Sequence, residues 1–171
     1  MSVSGSEAIF HITMTNEKPA IDAYTQPGIL YRILLIYLGL LQAVHMSVLV
    51  LDWGRLLKGF SYLRLAPPPT GGWDEDLLGN LSLLGSVDFF IALLSLVFVI
   101  ALLRQVSWAR GLGTLVLIAA HLTGILYLWI TLDSGAFTLH VGRYVLITVL
   151  FLPVSLLTVM HLTSGFQGPR S

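Results

Sequence analysis

The chain contains no cysteine. That excludes disulfides, thiolate catalysis and Cys-ligated zinc or iron–sulfur sites, and it leaves the redox compartment undetermined. Charge is scarce too. Only 11% of residues are charged, nine basic and nine acidic, so the net charge is zero. Soluble domains carry about 25% charged residues. The even balance leaves no basic footprint for nucleic acid. There is no Walker loop and no GxSxG, HExxH or GxGxxG sequence. The phosphate, acyl-transfer, zinc-protease and dinucleotide chemistries that use them therefore have no signature here.

Apolar residues are what the chain has in quantity. They make up 56% of its 171 residues, and the mean hydropathy is +0.85. This composition defines an integral, multi-pass membrane protein whose first partner is the lipid bilayer. Four apolar runs stand out, at 31–51, 81–103, 114–132 and 143–162. At about 1.5 Å per residue they reach roughly 28–34 Å, enough for a hydrocarbon core of roughly 30 Å. Short links between them predict an all-α fold. It is a four-helix transmembrane bundle, up-down-up-down, with both termini on one side, and 1–171 forms a single membrane domain. Residues 1–27 are polar and show no helical period. The first run is too long for the core of a cleaved signal and reads as an uncleaved signal-anchor.

The long link after span one has two parts. In 53–65, apolar residues fall at 53, 56, 57, 60 and 63, while Arg55, Lys58, Ser61 and Arg64 lie elsewhere. This spacing predicts an amphipathic interfacial helix on the membrane surface. The Ala-Pro-Pro-Pro-Thr-Gly-Gly stretch at 66–72 must break it. Asp74, Glu75 and Asp76 then suit the positive dipole end of the next helix. Tyr31, Trp53, Trp73, Trp108 and Tyr144 fall at span ends and read as interfacial belt residues. Five cations on the termini side against four on the other tilt the positive-inside rule toward cytoplasmic termini.

Asp88 is the ionisable residue inside the second run. A carboxylate at that depth costs at least about 2.5–3.5 kcal/mol to insert, so something must face it. Because helix direction alternates, depth can be counted from sequence. His45 lies roughly 9 Å, Asp88 roughly 10 Å and Thr148 roughly 8 Å from the far edge, the side of the long loop. Gln42 and His121 lie deeper, at roughly 14–16 Å. Gln42, His45 and Asp52 share one face of span one. Gly85, Ala92 and Ser95 around Asp88, and Ala120 and Gly124 around His121, are small residues that turn a helix toward its neighbours. The candidate intramembrane site is therefore His45, Asp88, Gln42, His121, Thr148 and Asp52, above a dry Leu/Val/Ile half. Two readings compete for it: a buried, hydrogen-bonded His–Asp pair, or the lining of a pocket or proton path.

No cofactor is required by this pattern. A bis-His haem needs two histidines level with one another, and His45 and His121 differ by roughly 7 Å in depth. One of them alone could serve a chlorophyll-type pigment. A zinc site needs three or four convergent ligands, and His45, Asp52 and Asp88 make at most an incomplete set, so no metal site is assigned.

The order of several parts resembles the EXPERA family of four-span membrane proteins, which includes the emopamil-binding sterol isomerases. Those parts are His45 and Asp52 at the end of span one, the proline-rich loop and Asp88 early in span two. Trp108-Ala109-Arg110, His121 in span three and Pro153 in span four follow. The resemblance implies a pocket among the helices in which acids handle protons on a sterol or a cationic amphiphile. The family usually has Glu where this chain has Asp88, and its other catalytic acids have no clear counterpart. That departure bears on isomerase activity.

Three functions follow as expectations. The first is a non-catalytic accessory subunit of a larger membrane complex, of respiratory or photosynthetic type, with other membrane subunits as partners. It rests on small size, absence of a catalytic motif, and surface elements suited to docking. The second is an EXPERA-like protein that binds lipid or sterol through Asp88, His45 and Asp52. The third is a proton-coupled carrier, against which stand the lack of inverted repeats and of a second deep acid.

Overall fold

A computed structural model describes residues 28–58 and 63–164 of the chain. The polar segment 1–27 lies outside them. Five helices form: α1 (Ile29–Leu56), α2 (Glu75–Leu103), α3 (Ala109–Asp133), the single turn α4 (Ala136–Leu139) and α5 (Val141–Ser164). All but α4 are long and apolar enough to cross a membrane, and no strand occurs among the described residues. Leu, Ile and Val side chains such as Leu40, Leu83, Leu115 and Leu146 stand exposed along all four. On a bundle with so few charges, that surface belongs against lipid.

The helix ends follow from local chemistry. Asp74 caps α2 by accepting the Leu77 N–H at 2.7 Å, with Glu75 and Asp76 in the first turn, as the acidic run predicts. α2 ends at Leu103, and two residues on Gln105 takes a left-handed φ of 58°. The Val106 N–H then reaches the Ala101 carbonyl and the Gln105 N–H the Leu102 carbonyl, both at 3.0 Å. These bonds satisfy carbonyls that the helix end would leave bare. Gly135, at φ 74°, turns the chain after α3. Pro153 lies inside α5 and removes one backbone hydrogen bond there.

Packing runs round a ring. The backbone of α2 runs close to α1 and α3, and that of α5 to α1 and α3, while the diagonal pairs stay apart at the backbone and α2 meets α5 through the Phe98 and His161 rings. The end nearer the termini is filled. Leu34, Leu35, Leu38, Phe98, Leu117 and Leu157 form its dry core. Gly113 lets α3 approach there, since a Cβ would sit 2.3 Å from Phe98 Cε2 and 2.8 Å from His161 Cε1. His161, which the spacing places at the edge of a span, is buried. Its Nε2 donates to the Arg110 carbonyl at 3.1 Å, leaving Nδ1 to accept from the Tyr31 hydroxyl at 2.6 Å.

The far end is closed by the long loop rather than by helix packing. Here the fold differs from the expected interfacial helix over 53–65. Residues 53–56 complete α1, 57–58 turn, and 63–66 are not helical; 59–62 lie outside the described residues. The cause is Asp52. Its Oδ2 accepts the N–H of Arg64 at 2.8 Å and of Leu65 at 3.4 Å, drawing the loop back over the bundle. Four side chains then donate to successive loop carbonyls. They are Tyr127 to Leu65, Trp73 to Ala66 at 2.9 Å, Tyr144 to Pro67 at 2.9 Å and His140 to Pro68 at 3.0 Å. Tyr31, Trp73 and Tyr144 are therefore buried structural residues, not belt residues, while Trp108 is exposed.

Candidate functional site

Between the dry core and the loop cap the open diagonals leave a cavity of about 380 Å³. That size falls at the lower end of the roughly 300–1,000 Å³ of small-molecule sites. α1, α2, α3 and α5 all contribute walls, and Leu63, Leu65 and Ala66 form the roof. The lining is mostly aliphatic and aromatic, with polar groups at a few points.

His45 and Asp88 meet as the depth count predicts. His45 Nε2 donates to Asp88 Oδ2 at 2.6 Å, and their side chains retain 12% and 28% exposure. The other carboxylate oxygen is less well served. Thr123 lies 3.5 Å from Oδ1 but only 3.1 Å from the Ala120 carbonyl. A hydroxyl has one hydrogen, and the carbonyl is the closer acceptor. Asp88 thus lines the cavity with acceptor capacity to spare.

Asp52 also lines the cavity, on the roof side. It is only 4% exposed, and while Oδ2 holds the loop, Oδ1 has no hydrogen-bond partner. His121 lines the wall too. Its Nδ1 donates to the Leu117 carbonyl at 2.8 Å, so Nε2 is the acceptor for Ser155 at 3.0 Å. Both ring nitrogens of His121 are therefore engaged. Thr148 borders the cavity but turns its hydroxyl back to the Tyr144 carbonyl at 2.9 Å.

Gln42 does not join the site. It is 3% exposed and buried in the packed bundle, away from the cavity lining. Sequence reasoning in turn missed Thr123, Ser155 and Tyr127. The depth count contains a signal for the first, since Thr123 is two residues, or about 3 Å, nearer the level of Asp88 than His121 is. The small-residue faces hold in part. Ala92 and Ser95 are fully buried, but a Cβ on Gly124 would meet nothing within 4 Å. Gly124 opens onto the cavity instead of admitting a neighbouring helix. Among the described residues no three His, Asp or Glu side chains converge as a metal site would require.

Fold and site together define a four-span integral membrane protein with an intramembrane cavity beneath a loop cap. No family model, no curated protein and no solved structure matches the chain.

Proposed function

We propose that the protein binds a single amphiphile within the membrane. The apolar body occupies the cavity, and a hydroxyl or amine donates to Asp88. The observation that carries this reading is the unmet acceptor capacity of Asp88 in the wall of an otherwise apolar cavity. His45 holds the carboxylate in place, and in so doing leaves Oδ1 for the ligand. The ligand class agrees with what the EXPERA resemblance implies, a sterol or a cationic amphiphile. A subunit built only for docking would gain by filling this space, because a void forfeits the contacts its lining could make.

The test uses the purified full-length chain in nanodiscs with two photoreactive probes, a sterol and a long-chain secondary amine. At least one probe labels the wild-type cavity. Asp88→Asn lowers that labelling tenfold or more, and Gly124→Leu, which projects a side chain into open space, abolishes it without disturbing the fold. Labelling that survives both substitutions overturns the reading, as does a failure of both probes to label the wild type.

A further inference from the structure

A second site lies outside the bundle, at the far end of α1. The helix is 28 residues long, about 42 Å, so its last turns emerge from a hydrocarbon core of roughly 30 Å at headgroup level. There Val50, Leu51, Gly54, Arg55, Lys58 and Arg64 line an open notch of about 330 Å³. Among the described residues, it shares no lining residue with the cavity.

The notch has an apolar floor and cationic walls. Val50 and Leu51 are each 51% exposed, and a Cβ on Gly54 would meet nothing within 4 Å. Arg55 and Lys58 are three residues apart and therefore neighbours on the surface of α1 and its terminal turn. The third cation comes from the loop. The Arg64 N–H is held by Asp52 Oδ2 at 2.8 Å, which brings Arg64 back beside the helix. Among the described residues, no carboxylate is part of the notch lining: Asp52 lines the cavity, and the acids at the start of α2 are absent from both linings.

We propose that this notch binds the phosphate of an anionic phospholipid. The recognised group is a phosphate anion, for which arginine offers paired donors and lysine a point charge. The source is a lipid rather than free phosphate, because the floor is apolar and lies where acyl chains meet their headgroup. Basic residues at a membrane surface favour anionic lipid additively. Removing three weakens the preference on the order of a hundredfold.

The full chain, purified in mild detergent, is titrated with phosphatidylglycerol and with phosphatidylcholine, and bound lipids are counted by native mass spectrometry. Phosphatidylglycerol binds tenfold or more tightly. The triple variant R55Q/K58Q/R64Q loses that preference, whereas Arg104→Gln, at the opposite end of the bundle, keeps it. If the triple variant does not fold, Lys58→Gln alone, an exposed side chain just past α1, lowers the preference several-fold. Equal binding of the two lipids by the wild type overturns the proposal, and so does an unchanged preference in the notch variants. Inorganic phosphate that displaces phosphatidylglycerol at matching concentration assigns the notch to a soluble anion and overturns it as well.

Discussion

His45 and Asp88 can be uncoupled by replacing each with Leu and then both together. Breaking a fully buried ion pair from one side costs about 3–5 kcal/mol, because a charge is left unmatched. The 12% and 28% side-chain exposures put this pair short of full burial, and the cavity gives Asp88 access to water. About 2–3 kcal/mol is therefore expected for each single substitution, below the fully buried case. The double substitution leaves no orphan and returns much of that loss. The coupling energy should then be about 3 kcal/mol or more, the top of the range for residues in direct contact and above that of neutral polar pairs between transmembrane helices. For a chain of this size, about 2–4 °C of midpoint accompanies each kcal/mol. Each single variant should then melt about 4–12 °C below wild type, with the double variant recovering at least half the drop. The measurement is the midpoint for loss of monodisperse protein on heating in detergent. If the two singles simply add in the double, the side chains do not meet and His45 does not hold Asp88. The same double variant separates packing from binding, since it should regain stability without regaining the sterol or amine probe.

Two further perturbations test the packing around the site. Gly113→Ala forces a Cβ to within 2.3 Å of Phe98 Cε2 and should cost about 1–3 kcal/mol as overpacking. Gly124→Ala has open space and should be neutral or gain up to about 1 kcal/mol of helix propensity, so equal midpoints for the two would contradict the arrangement of α3. Tyr144→Phe strips the donor from the Pro67 carbonyl, at a cost of about 1 kcal/mol. Amide exchange at Arg64 and Leu65 should quicken, and an unchanged rate would mean that Tyr144 does not hold the cap.

The bundle and its central pair were legible because they depend on fixed quantities. Helical rise is constant, direction alternates between short links, and a carboxylate in lipid must find a partner. Those three facts put His45 level with Asp88. The cap was not legible, for a reason that lies in Pro67, Pro68 and Pro69. Prolines lack the N–H needed to build secondary structure, so the loop carbonyls look elsewhere for donors. They find them in Trp73, Tyr127, His140 and Tyr144. An aromatic with a polar tip at a span end has the same sequence signature whether it faces lipid headgroups or a buried carbonyl. The amphipathic pattern of 53–65 misled similarly. Spacing cannot register that Asp52 takes the N–H groups of Arg64 and Leu65 and folds the segment back. Ser155 was hidden because hydroxyls within transmembrane helices usually bond their own helix, as Thr123, Thr148 and Thr158 do.

Asp52 joins the cap to the proposed binding function. As an anchor for the loop it needs one oxygen, and Oδ2 is the one used. Oδ1 is left buried without a partner, a condition that costs about 1–3 kcal/mol. An apolar cavity with no occupant would give the fold no return for that cost. Oδ1 is closed off even from water, so Asp52 serves the cavity by holding its roof through Oδ2. The cavity reading therefore rests on Asp88, whose side chain is 28% exposed in the cavity wall, with Asp52 as the residue that keeps the cap over it.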